Sequence, residues 1–226
     1  PGLEIVVEDQ RGGAPVVERF KHDGGIAEYA AFLAADAVVT DVIRLQGTDH
    51  FTETVPVLDD RGHMTPREVR RECVVDVAVR WGIGYETEAR SFVNIIATPK
   101  GGTHVAGFEA GLIKVFRDQI TANARRLKVG NDKVEKDDVL EGLTAVVTVR
   151  LAEPQFEGQT KQVLGTAPVR GIVAKVVERE LKAFLTSSKR DHKQQAGLLL
   201  DKVVAATKTR IAARLHKEPG RRRNAH

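Results

Sequence analysis

The chain has 226 residues, enough for one large domain or two small ones. Charged residues make up 29% and the hydrophobic set 42%, a globular balance that excludes a disordered tail, a collagen or a disulfide-knotted miniprotein. The net charge of +4 is uneven: residues 186–226 hold eleven Lys/Arg against three Asp/Glu, which leaves 24 against 28 in the rest, an acidic body with a basic C-terminal segment. Leu3 to Val7 reads as a strand, Arg11-Gly12-Gly13 as a turn, and Val16, Phe20 and His22 as the return strand of a hairpin. Ile26, Tyr29, Ala30 and Leu33 recur at helical spacing. Val38 to Leu45 is apolar and β-rich. Residues 46–71 are polar, with Asp59-Asp60-Arg61-Gly62 and Pro66, and read as a long excursion or a hairpin with a flexible tip. Val75, Val77, Val79 and Trp81 alternate, a strand with one buried face. Gly82-Ile83-Gly84 turns the chain into a second strand at about 86–96.

Thr103 is placed to cap a helix whose stripe is Val105, Phe108, Leu112, Val115 and Phe116. Residues 125–135 are loop-like, 137–143 a helical turn or two, and Ala145 to Leu151 an alternating strand. Residues 152–161 form a loop broken by Pro154 and Gly158. Thr166 and Pro168 open a helix with Val169, Ile172, Val173, Val176, Val177, Leu181 and Phe184 on its buried face. A second helix runs from about Arg190 to His216, roughly 40 Å long, and Pro219-Gly220 is expected to break it. The order ββα, ββ, αβ, αα implies an α+β layer of sheet and helices with a long helix leaving it.

Self-contained chemistry is not legible. There is no P-loop, no GxGxxG after a strand, no HExxH and no GxSxG. The carboxylate pairs Asp59-Asp60 and Asp137-Asp138 fall in polar stretches and read as solvated surface. Isolated histidines such as His22 and His104 read as structural donors. The single cysteine, Cys73, forbids an intrachain disulfide, and without CxxC or a Cys/His cluster no metal site is expected. No apolar run reaches about 18 residues and no signal peptide opens the chain, so no membrane contact and a cytoplasmic setting are expected. The start at Pro1 reads as a point partway through a longer polypeptide.

Two motifs carry more. One is Phe92-Val93-Asn94-Ile95-Ile96 leading to Gly101-Gly102-Thr103-His104 and Gly107-Phe108. The other is Glu141-Gly142-Leu143-Thr144-Ala145-Val146-Val147 followed by Pro154-Gln155-Phe156-Glu157-Gly158-Gln159-Thr160-Lys161. In this order and spacing they resemble the transducer domain of the ATPase (B-type) subunit of bacterial type IIA DNA topoisomerases, DNA gyrase or topoisomerase IV. Asp23-Gly24-Gly25-Ile26 and the final helix pair also fit, so the resemblance spans about Leu3 to Asn224.

The resemblance implies an α+β fold, a βαβ sandwich of ribosomal-protein-like type with a left-handed crossover and a long C-terminal helix. It implies a transducer over 1–187, with 46–71 as an inserted excursion, and a long helix and basic tail over 188–226. A GHKL-type ATP-binding module would precede the chain and a TOPRIM domain would follow. It further implies that Gln159 and Lys161 reach the γ-phosphate of ATP and couple hydrolysis to domain motion and DNA strand passage. An ammonium is a compact point charge suited to a phosphate oxygen. ATP and Mg2+ belong to the parent protein, and neither is expected to bind this chain tightly. The implied partners are DNA, a second copy of the subunit, and the A-type cleavage subunit that carries the catalytic tyrosine. Arg117, Arg125, Arg126 and Lys128 are candidates for a DNA path, and Arg221, Arg222 and Arg223 for contacts nearer the cleavage gate. Such contacts are sequence-independent and salt-sensitive. Three features depart from the family pattern: Glu109 where a basic residue is expected, Ile95 where a second Asn is common, and the length of 46–71. The competing readings are a sequence-nonspecific nucleic-acid-binding module without nucleotide linkage, and an independent enzyme built on a carboxylate pair.

Overall fold

The computed structural model describes residues 2–130 and 132–223, with side chains up to residue 216. Five strands form the main sheet in the order β3-β4-β7-β5-β6. They are β3 (Ile43–Leu58), β4 (Met64–Trp81), β5 (Glu88–Val93), β6 (Ile96–Ala97) and β7 (Leu143–Leu151). β3–β4, β4–β7 and β5–β6 pair antiparallel, whereas β5 and β7 are parallel. The connection between those parallel neighbours runs through α2 (Thr103–Ala122), α3 (Ala124–Leu127) and α4 (Lys136–Leu140), a βαβ unit. β1 (Glu4–Asp9) and β2 (Val16–Lys21) make a separate hairpin.

Strand alternation sorts the residues into three layers. Leu45, Val75, Val77, Val79, Trp81, Val147 and Val149 point to one face and pack under α2 and α5 (Pro168–Leu185). Ala78 and Val146 point to the other and meet Ala30 of α1 (Gly25–Leu33). Trp81 anchors the larger layer: its Nε1 donates to the Val139 carbonyl at 2.9 Å, and its ring stands edge-on to Phe116 with centroids 5.5 Å apart. Gly107 and Gly111 let α2 press against α5, since a Cβ on Gly107 would lie 2.3 Å from the Arg170 carbonyl oxygen and one on Gly111 2.9 Å from that of Ala174. The α+β class and the long C-terminal helix are as expected from the sequence.

β7 pairs with β4 over residues 73–81 and lies between β4 and β5. Three local expectations are corrected. The strand expected over 86–96 ends at Val93, where Asn94 takes a left-handed φ of 57° and reverses the chain into β6. Thr103 is not the cap of α2: Gly102 occupies that position without a side-chain bond, and the Thr103 hydroxyl is buried and unpartnered among the described residues. Finally, α6 (Arg190–Arg223) continues past Pro219 and Gly220. Proline removes one amide donor but its fixed φ is helical.

Residues 46–71 take the second of the two expected forms. They extend β3 and β4 into one long hairpin with a tight turn at 59–63, and its outer part reaches beyond the end of β7. Pro56 faces Pro66 there. The Asp59 amide donates to the His63 carbonyl, so counting inward makes 56–66 a non-hydrogen-bonded pair. Both missing donors therefore lie on the ribbon's outer edges, where they block the addition of further strands.

A braced loop as the candidate site

Residues 152–167 connect β7 to α5 and carry Gln159 and Lys161. The loop is a small hairpin of its own. The Glu157 amide donates to the Val163 carbonyl at 2.9 Å and the Gly165 amide to the Gln155 carbonyl at 2.8 Å. Its base is held by the turn before α2. The Leu164 amide donates to the Gly101 carbonyl at 3.1 Å, and the Thr103 amide donates to the Leu164 carbonyl at 2.9 Å. Leu164 is fully buried. Gly102 makes this seat possible: its φ is 130°, and a Cβ there would lie 2.4 Å from both the amide nitrogen and the carbonyl oxygen of Leu164. The Gly-Gly pair thus serves as a strand-to-helix turn onto which the loop is bolted.

The buried Thr166 hydroxyl accepts the Gln155 amide at 3.0 Å and ties the two legs together just before α5. One further backbone bond, from the Lys100 amide to the Gln162 carbonyl at 3.3 Å, holds the loop just after its tip. Gln159, Thr160 and Lys161 are exposed, and Lys161 itself has a left-handed φ of 53°. Gly158 supplies a φ of 82° with open space around its Cα, so its role is conformational. A rigid base with an exposed ammonium and carboxamide suits an anion arriving from outside this chain.

A buried polar chain lies beneath the Gly101-Gly102 turn. His104 is fully buried, and its Nε2 meets the Thr98 hydroxyl at 3.1 Å, which meets Ser91 Oγ at 2.8 Å. Burial pushes the imidazole down to about 4, so it is neutral at physiological pH. His104 is thus the structural partner expected from the sequence.

Two of the basic candidates, Arg117 and Arg126, are engaged within the protein. Arg117 donates its Nε to the Val134 carbonyl at 2.9 Å beside a hollow of about 560 Å3 that also takes in Thr121, Val129 and Lys133. Arg126 pairs with Asp201 at 2.9 Å. Arg125 and Lys128 are exposed at the same end of α2, and Lys128 has a left-handed φ. Glu109 holds Lys136 at 3.1 Å. The side chains of Arg221, Arg222 and Arg223 lie outside the described residues.

The expectation that Asp137-Asp138 is solvated surface fails for Asp138, which is 3% exposed. Its carboxylate accepts both the Nε and an Nη of Arg210 at 2.8 Å, the Thr207 hydroxyl at 2.9 Å and the Glu135 amide at 2.9 Å. Burial by itself raises this carboxyl's pKa, and the Arg210, Glu135 and Thr207 donors outweigh it and hold the group below its ordinary range. Only the Glu135 amide is a near neighbour in sequence; Arg210, which pairs with the buried charge, is 72 residues away. Among the described residues no three His, Cys, Asp or Glu side chains converge on a point fit for a metal ion. No described helix is long and apolar enough to cross a membrane.

The family profile of DNA gyrase B matches residues 25–219. The chain belongs to the DNA gyrase B family. It is 33% identical over 225 residues to the DNA gyrase B protein of Treponema denticola, covering 98% of this chain and 32% of that protein. It is 34% identical over 223 residues to the DNA gyrase B protein of Streptococcus pyogenes serotype M3, covering 99% and 31%. The chain therefore spans about a third of the length of these relatives. Among solved structures, the 43K ATPase domain of Thermus thermophilus gyrase B, in complex with an aminocoumarin, superposes with a TM-score of 0.69 at 27% identity, over 96% of this chain and 51% of that one. The topoisomerase IV ATP-binding domain of Francisella tularensis shares the fold, with a TM-score of 0.59 at 23% identity over 87% of this chain and 46% of that one.

Proposed function

We propose that this chain is the transducer of an ATP-dependent type II DNA topoisomerase subunit, with 1–187 as the transducer body and 188–226 as the helix and basic tail leading to the next domain. Gln159 and Lys161 sense the γ-phosphate in this reading. The observation that carries it is the loop: an exposed Gln-Thr-Lys tip on a base bolted to the start of α2 and running straight into α5. The donor set fits a phosphate group, and Mg2+ would be held by other parts of the full-length subunit. ATP bound to the rest of the subunit supplies the phosphate, and this chain's part is to hold it. Lys161 binds and orients the group while it is present. Once hydrolysis removes it, the tip's preferred position changes and α5 and α2 carry that change into the domain. DNA, a second copy of the subunit and an A-type cleavage subunit are the partners that belong to this reading.

The test is steady-state ATPase of the full-length subunit, wild type against Lys161→Ala. A charge-assisted contact made mainly in the transition state is worth about 1.5–3 kcal/mol, roughly a 10- to 100-fold loss of rate with nucleotide binding retained. Unchanged turnover would remove the sensing role. Steep salt-sensitive DNA binding by this chain together with unchanged turnover would instead favour a nucleic-acid-binding module without nucleotide linkage.

A further inference from the structure

The outer part of the β3–β4 hairpin meets the Lys161 loop at one place. Arg71 faces Phe51 across the ladder, so it shares a face with Glu53 two residues on. This is the face that Leu45 and Val75 use for the core further along the same strands. Arg71 is 14% exposed, and its guanidinium reaches two carboxylates on different elements. Its Nε donates to Glu53 at 3.2 Å, and an Nη donates to Glu153, the second residue of the loop. Glu53 also accepts the Gln155 side-chain amide at 2.9 Å. Glu153 has a left-handed φ of 50°, a conformation that non-glycine residues hold only when their surroundings fix it.

We infer that Arg71 is a positioning residue: with Glu53 it locks the first leg of the loop, Glu153 to Gln155, onto the long hairpin and thereby sets the Gln159–Lys161 tip. This rests on the sensing role proposed for Lys161. The second leg is fixed by backbone bonds to Gly101 and Thr103, so the first leg's hold on the main sheet beyond β7 runs through these side chains. A guanidinium suits the task because its planar fork serves two carboxylates at once, which a lysine ammonium does less well. The hairpin that lengthens residues 46–71 then has a purpose, since without it neither Glu53 nor Arg71 would stand beside the loop.

A double-mutant cycle in the full-length subunit tests this. Arg71→Met and, separately, Glu153→Gln are combined with Lys161→Ala, and ATPase kcat is read with the Kd of a nonhydrolysable ATP analogue. Glu153 is 74% exposed, so its substitution leaves the fold intact. Each variant is expected to lower kcat about five-fold where Lys161 is kept and less than two-fold in the Lys161→Ala background, the non-additivity of coupled residues. Arg71→Lys is expected to recover less than half of the loss. Amide exchange at residues 157–162 is expected to quicken in Arg71→Met. Equal fold losses in both backgrounds, no loss, or unchanged exchange would overturn the positioning role. If Lys161→Ala alone leaves kcat unchanged, the sensing role itself falls, whatever Arg71 does.

Discussion

Two arginines in this domain each bridge a pair of carboxylates, and they do opposite things. Arg210 on α6 holds Asp138 and Glu135 of the α4 region, and its principal partner is 3% exposed and accepts four donated hydrogen bonds. Arg71 on β4 holds Glu53 and Glu153, and the second of these is 74% exposed. The first pair fastens two helices permanently, because a charge that deep cannot be left alone. The second joins a strand to a loop through a contact that water can replace, so it guides position without deciding whether the domain folds. Burial of the partner, more than the number of salt bridges, separates a fastener from a guide.

The largest effect is expected at the fastener. Arg210→Met strands a buried carboxylate and is expected to cost about 3 kcal/mol, seen as a lowered midpoint in denaturant with an unchanged slope. A loss below about 1 kcal/mol would place Asp138 in better contact with water than its burial implies.

Acid gives the next effect. Asp138 titrates lower in the folded state than unfolded, so its contribution is present above the ordinary Asp range and is lost as pH falls through the depressed value. His104 acts earlier. Its folded value of about 4 lies below the ordinary 6.5, so the unfolded chain takes up a proton first. The His104 contribution is flat above about pH 6.5 and falls below it by at most roughly 1.4 kcal/mol per pH unit, until the folded imidazole titrates near 4. His104→Gln removes the slope between pH 6.5 and 4 while the Asp138 loss, which sets in below the ordinary Asp range, remains, and denaturation curves carried from pH 7 down to pH 2 separate the two.

The smallest effect on stability belongs to Arg71. Arg71→Met is expected to cost about 1 kcal/mol or less, even though its effect on turnover is several-fold. A cost near that of Arg210→Met would make both arginines fasteners and erase the difference between them.

The sheet strands, the two long helices and the helix that packs against them are legible in the sequence, because alternation and 3.6-residue stripes record which face each element buries. Gln159 and Lys161 are legible as part of an ordered motif, and they stand exposed at a loop tip. Arg71, Glu53, Asp138 and Arg210 are not. Arg71 reads as one of four arginines in a polar stretch, and only the strand register puts it beside Glu53 and the loop. Thr103 shows the opposite failure: a residue with the right chemistry for a cap stands one position too late.

Residue patterns were enough for the α+β class, most of the element boundaries, the acidic body with its basic end, and the kinship of the ordered motifs. Those properties are set by neighbours a few residues apart, where periodicity and turn chemistry act. Three outcomes came from the packed fold alone: β7 lies between β4 and β5, Asp138 is buried under a guanidinium 72 residues away, and the long hairpin braces the Lys161 loop. They depend on the meeting of distant segments, where desolvation and strand register give a side chain its partners, and neither is written in the residues that flank it.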